Sequence, residues 1–136
     1  MRGLRQATLL LAILAAAICL LTGIVYVGAS RSAGMVEIGL WLATLGALGG
    51  TGLGAAGLWQ YVGEGVPRLL ALVTLSALAA GYIAANVLAL VQGAANQIPQ
   101  TPRPLHAAGL VVGACLYLTV LVEASLAFRA RRGAEG

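Results

Sequence analysis

The groups in this chain that could do chemistry are few enough to weigh singly: among 136 residues there are one histidine, two cysteines and four glutamates, with no aspartate and no lysine. His106 stands in Thr101-Pro-Arg-Pro-Leu-His-Ala-Ala-Gly, at the edge of an apolar run. An imidazole there reads as an interfacial or helix-capping group, or as an axial heme ligand. Imidazole suits iron, and the glycine face that follows, Gly109 and Gly113, would make room for a porphyrin. A bis-histidine heme needs a second histidine, so any heme would be five-coordinate, ligated by another residue or shared with a second subunit. Glu123 is the one ionisable residue clearly inside an expected membrane span, about 9 Å along a helix from Arg129 at 1.5 Å per residue. It reads as a carboxylate that reaches the head groups or pairs with Arg2, Arg5 or Arg68, or as the titrating group of a transporter.

The remaining polar groups within apolar runs fall into stripes: Thr74, Tyr82 and Asn86 in one run, Cys19, Thr22, Gly23 and Tyr26 in another, and His106, Gly109, Gly113 and Tyr117 in a third. These stripes are expected to face a shared interior. Asn86 would bond a neighbouring helix or contact a ligand there, and an interhelical bond of that kind is worth about 0.6 to 2 kcal/mol. A proton path would need more groups than Asn86 and a few hydroxyls. Hydrolytic triads, zinc sites and paired-carboxylate sites all lack parts. Catalysis by this chain alone is not expected.

Groups this sparse have to be positioned by something, and what the sequence offers is apolar helices. Sixty per cent of residues are hydrophobic, 9% are charged and the mean hydropathy is +0.95, well beyond the range of soluble domains. Charge-free runs extend over 6–30, 38–63, 69–102 and 104–122. Crossing a bilayer takes about 20 apolar residues, and strands are disfavoured because no run alternates with period two. The expected fold is all-α: an integral-membrane four-helix bundle of antiparallel transmembrane helices in one domain, 1–136, with helices near 6–28, 37–60, 68–92 and 105–129. The first two loops would hold about eight residues each. The third, 93–104, with Asn96, Gln97, Gln100 and its prolines, would be extended and extracytoplasmic. Pro104 falls where a missing N–H costs nothing.

The second run is unusually rich in glycine. Gly46, Gly50 and Gly54 recur at spacing four, and Gly39, Ala43 and Gly57 extend their face. In lipid no hydrophobic force drives helices together, so small residues that let backbones approach are the natural interface. That face is expected to pack inside the bundle or against a partner, or else to open for a flat ligand or a flexible carrier segment. A phosphate loop is excluded, since no lysine follows the glycines.

Charge gives orientation. Arg2, Arg5, Arg68, Arg129, Arg131 and Arg132 fall on one side of the expected topology, and Arg31 and Arg103 on the other. The excess of basic residues on cytoplasmic loops then puts both termini in the cytoplasm and the chain in the cell membrane. The net charge of +4 points to lipid head groups, not to nucleic acid, because the arginines form no stripe with interleaved aromatics. The first run is too long for a cleaved signal. Cys19 and Cys115, mid-run, are expected to act as small apolar residues with no disulfide.

Pro104-Leu105-His106-Ala107-Ala108, which opens a helix ending in Arg129, Arg131 and Arg132, resembles the last helix pair of the heme A synthase family. Val36-Glu37-Ile38-Gly39-Leu40-Trp41 is similar to that family's Glu-x-x-His-Arg segment, with Glu37 matching the acid, and Leu40 and Trp41 standing where His and Arg would be. The resemblance covers the chain as one four-helix half of an eight-helix fold. It implies a degenerate half that binds one heme or none through His106, with Glu37 on the same side, retained as a subunit.

Three functions are therefore expected, in this order: a non-catalytic accessory subunit of a larger membrane assembly, respiratory or electron-transferring; a heme- or quinone-binding membrane protein; and a homo-oligomeric small transporter or channel that self-associates through the glycine face.

Overall fold

The computed structural model describes residues 2–32, 34, 36–95 and 102–135, with side chains described for 3–31, 34, 36–92 and 102–133. It is an all-α four-helix bundle: α1 (Arg2–Ser32), α2 (Val36–Val62), α3 (Gly65–Ala95) and α4 (Arg103–Glu135). All four helices are long and apolar enough to cross a membrane. Each runs a few residues past the apolar limits expected from sequence, because arginine and glutamine at a helix end remain good helix formers. Arg31 and Arg103, expected in loops, are therefore helical. The extended third loop lies largely outside the described residues.

The first two loops are also tighter than eight residues. Only Gly63 and Glu64 separate α2 from α3. The Gly63 N–H still donates to the Trp59 carbonyl at 2.8 Å, and Gly65 turns the chain with φ +63°, a conformation that glycine alone adopts without steric cost. Gly34, with φ +72°, serves the α1–α2 turn in the same way.

The helices form a square in chain order. α1 packs on α2 and α4, and α3 packs on the same two, while among the described residues no Cα atoms of the diagonal pairs come within 8 Å. Small residues fill the middle. Ala12, Ala15, Ala71 and Ala79 are fully buried together with Leu72, Leu75, Leu116 and Val120, whereas Leu10, Ile24, Leu48, Val91, Val111 and Leu118 are each more than 60% exposed. That distribution inverts the soluble pattern and is what lipid permits, since large apolar groups lose nothing by facing acyl chains and close backbones gain dispersion contacts.

The glycine face of α2 is spent on α1. A Cβ on Gly46 would lie 3.0 Å from the Cys19 carbonyl oxygen, and one on Gly50 would lie 3.0 Å from that of Ala16. Gly54 and Gly57 meet the methyls of Ala16 and Ala12. This makes α1–α2 the most extensive helix pair.

Candidate binding site

His106 lies one turn into α4, where its N–H donates to the Pro102 carbonyl at 3.1 Å. Its side chain is buried and reaches neither water nor a helix cap. Nε2 is 2.6 Å from the Tyr26 hydroxyl of α1, and Nδ1 is 2.9 Å from Asn86 Oδ1 of α3. One imidazole thus ties three helices together. The proton positions follow from the far end of the chain. Asn86 Nδ2 donates to the Tyr82 carbonyl at 2.8 Å, and a carbonyl can only accept, so Oδ1 is the atom that faces the histidine. Nδ1 must then carry the proton, and Nε2 accepts from the Tyr26 O–H. All three groups are neutral. The Tyr26 and His106 rings lie tilted at 51°, with centroids 5.6 Å apart.

Beside this chain of bonds, where the diagonal pairs leave space, is a cavity of about 160 Å³ lined by Cys19, Thr22, Tyr26, Tyr82, Asn86 and His106, and closed by apolar and small residues of α2 and α3. Leu45 of α2 and Ala85 of α3 belong to its wall and are exposed, so the mouth opens sideways between those helices, toward lipid. Most polar atoms in the wall already have partners: Cys19 donates to the Gly46 carbonyl and Thr22 to the Ile18 carbonyl. The Tyr82 hydroxyl does not. It is buried against Gly109, with the Asn86 amide as its polar neighbour, and no group meets it in full hydrogen-bond geometry.

Gly109 and Gly113 do not open a porphyrin slot. A Cβ at Gly109 would run into the Tyr82 hydroxyl and the Asn86 amide, and one at Gly113 would lie 3.1 Å from Ile83 Cγ1 and 3.2 Å from the Tyr82 ring. The glycines admit α3 side chains. With both ring nitrogens already bonded, His106 could reach an iron only by giving up Tyr26 or Asn86. A cavity of about 150 Å³ suits one benzene-sized ring, and a porphyrin needs several times that. Glu37, on the exposed first turn of α2, is not part of the wall around His106.

Glu123 lies in a separate cluster near the end that carries both termini. It is 2% exposed, and Oε1 accepts from Arg68 Nη2 at 3.1 Å. Of the two expected arginine partners whose side chains are described, Arg5 and Arg68, Glu123 pairs with Arg68. On the same end Arg5 pairs with Glu64 at 3.1 Å, and Gln60 Nε2 donates to the Arg5 carbonyl. Glu64 lies outside the spans, and the hydrogen bond and charge of Arg5 hold its carboxyl below the usual range. Gln60 was not legible as a member of this cluster, since a glutamine near a helix end looks like a head-group residue. Thr74 was expected inside and is exposed, its hydroxyl turned back to the Leu70 carbonyl. Eight residues at 3.6 per turn bring it about 80° away from Tyr82. Among the described residues no group of three His, Cys, Asp or Glu could hold a metal ion.

No family model, no curated protein and no solved structure matches this chain.

Proposed function

We propose that this chain is a small, non-catalytic subunit of a membrane assembly whose side pocket receives the ring of a lipophilic carbonyl compound, a quinone head group being the type example. The observation that carries the reading is the Tyr82 hydroxyl, a buried donor with no acceptor in hydrogen-bond geometry, on a residue that lines a mostly apolar cavity. An unmatched buried hydroxyl costs about 1 to 3 kcal/mol, and a ring carbonyl would remove that cost. Tyr26, which donates its O–H to His106, keeps its oxygen lone pairs to accept from a ring hydroxyl. The neutral His106–Asn86 pair holds Tyr26 in place. Size supports one ring, and the sideways mouth supports a ligand that arrives dissolved in lipid.

The same reading places the protein in the cell membrane with both termini in the cytoplasm, on the strength of the arginine distribution. The pocket then lies in the outer half. Labelling of Glu64→Cys from outside intact cells would reverse that orientation.

The test is titration of a short-chain quinone into the purified protein in lipid nanodiscs, read by quenching of Trp41 and Trp59, beside native mass spectrometry of the protein extracted from its own membrane. Saturable binding that weakens about 2- to 10-fold in Tyr82→Phe is expected, corresponding to one neutral hydrogen bond. Absence of saturable binding, or a Tyr82→Phe variant that binds as well as the parent, would sink the pocket assignment. Extraction of the chain by itself, with no larger assembly in the spectrum, would sink the subunit assignment.

A further inference from the structure

The end of the bundle that carries both termini holds a second candidate site, one that the quinone reading does not use. Between α1, α3 and α4 lies a cleft of about 190 Å³ lined by Leu4, Arg5, Arg68, Glu123 and Leu126. It shares Arg5, Arg68, Ala127 and Ala130 with a shallower groove of about 310 Å³ that adds Glu64, Leu69 and Arg131. Three guanidinium groups from three helices therefore face one continuous depression, against two carboxylates. Among the described lining residues, all ionised, that leaves a surplus of one positive charge.

The hydrogen-bond inventory says what is missing there. A guanidinium has five N–H donors in a planar fork. Arg68 is 13% exposed and spends Nη2 on Glu123, while its Nε is buried with no acceptor. A buried N–H of a charged group is rarely left unmatched. What would match it is an oxygen anion able to take the edge of the fork from the cleft side. The Arg5 partner, Glu64, is 79% exposed, and an ion pair that open to water contributes little and exchanges readily, so Arg5 can turn to a second anion at small cost.

The walls decide between anions. Leu4, Leu69 and Leu126 flank the arginines, and the depression lies near the end of the four spans, at the level where a bilayer's phosphates meet its acyl chains. We infer that this cleft binds the phosphate of an anionic glycerophospholipid, held by Arg68, Arg5 and Arg131, with its acyl chains descending past Leu4, Leu69 and Leu126. Basic pockets between membrane helices are suited to such head groups. A zwitterionic lipid brings its own ammonium and gains less from the net positive charge. Glu123 keeps Arg68 extended into the cleft, and the lipid phosphate completes the coordination that one carboxylate leaves unfinished.

The experiment uses the full-length protein in nanodiscs of equal phosphatidylglycerol and phosphatidylcholine, released into the gas phase for native mass spectrometry. Retained phosphatidylglycerol should exceed phosphatidylcholine, and the excess should fall about 10-fold or more in the Arg5→Gln/Arg131→Gln double variant, at roughly 1 kcal/mol per arginine near the head groups. That variant leaves the buried Arg68–Glu123 pair intact and gives up the exposed Arg5–Glu64 pair, so its melting temperature in pure phosphatidylcholine should fall only slightly below the parent's. Equal retention of the two lipids, or an excess untouched by the double variant, overturns the site and leaves annular lipid only. Thermal stabilisation by inorganic phosphate equal to that by phosphatidylglycerol overturns the lipid as its source.

Discussion

At the far end of the bundle Tyr26, His106 and Asn86 satisfy one another without carrying charge; at the end with the termini Arg68 and Glu123 neutralise one another and still leave atoms unmatched. The first joins residues of three helices, and the Arg68–Glu123 pair joins two. They differ because an imidazole and an amide each present one donor edge and one acceptor edge, so a chain of neutral groups can close on itself, from the Tyr26 O–H to the Tyr82 carbonyl. A guanidinium only donates and a carboxylate only accepts, and each has more positions than one contact uses. Arg68 Nε and Glu123 Oε2 are both left over. Neutral polar groups can therefore be completed inside a membrane protein, while charged ones near its edge call for partners from outside. The far-end cluster is finished apart from the Tyr82 hydroxyl, which is why that hydroxyl points to a ligand and its neighbours point to structure.

The contrast is broken most forcefully at the charged end. Arg68→Met should destabilise the protein by about 3 to 5 kcal/mol in a reversible unfolding titration, because it strands a buried carboxylate. Arg68→Met/Glu123→Leu should recover most of that loss. If the double variant is no better than the single one, the pair is not what the charged cluster rests on.

At the neutral end the corresponding change, His106→Leu, should cost about 1 to 3 kcal/mol, since the groups stranded are a hydroxyl and an amide oxygen and neither is charged. A loss as large as that of Arg68→Met would erase the distinction between the clusters. Gly109→Ala sharpens it from another side. The added methyl should drive the Tyr82 hydroxyl and the Asn86 amide apart, with a cost of about 1 to 3 kcal/mol from overpacking and a loss of quinone quenching larger than Tyr82→Phe alone produces.

The smallest effect belongs to the exposed Arg5–Glu64 pair. Because Arg5 lowers the Glu64 pKa in the folded state, the pair stabilises the fold at any pH above the ordinary glutamate value of about 4.3. That contribution is lost as pH falls through the lowered folded value. The melting-temperature difference between the parent and Glu64→Gln should be small and positive at neutral pH, should shrink once the pH falls below the ordinary glutamate value, and should vanish below the lowered folded value. A difference that grows with acid would reverse the sign of this linkage.

Much of the architecture was legible in the residues themselves. The four spans and the Gly46–Gly50–Gly54–Gly57 face were readable because hydropathy and side-chain size act within one helix. The pocket was half legible: Cys19, Thr22, Gly23, Tyr26, Tyr82, Asn86 and His106 all lay on expected inward stripes. Their pairing was not. Tyr26 lies 80 positions from His106, and nothing in either segment says that the two meet. The porphyrin slot expected at Gly109 and Gly113 is filled by Tyr82 and Ile83 for the same reason, since a glycine shows that something approaches and never what does.

By itself, then, the sequence determined how many times the chain crosses, where the crossings begin and end to within a few residues, and which faces are small. The bilayer sets those terms locally: backbone groups in hydrocarbon must bond within their own helix, so each apolar run folds the same way whatever lies beside it. Tertiary structure alone decided the rotation and neighbours of each helix. Those settled that His106 is shared between Tyr26 and Asn86, that Glu123 takes Arg68 and not Arg5, and that one tyrosine hydroxyl is buried without a well-formed hydrogen bond. Such choices are energy differences between whole packings of four helices, and no single segment contains them.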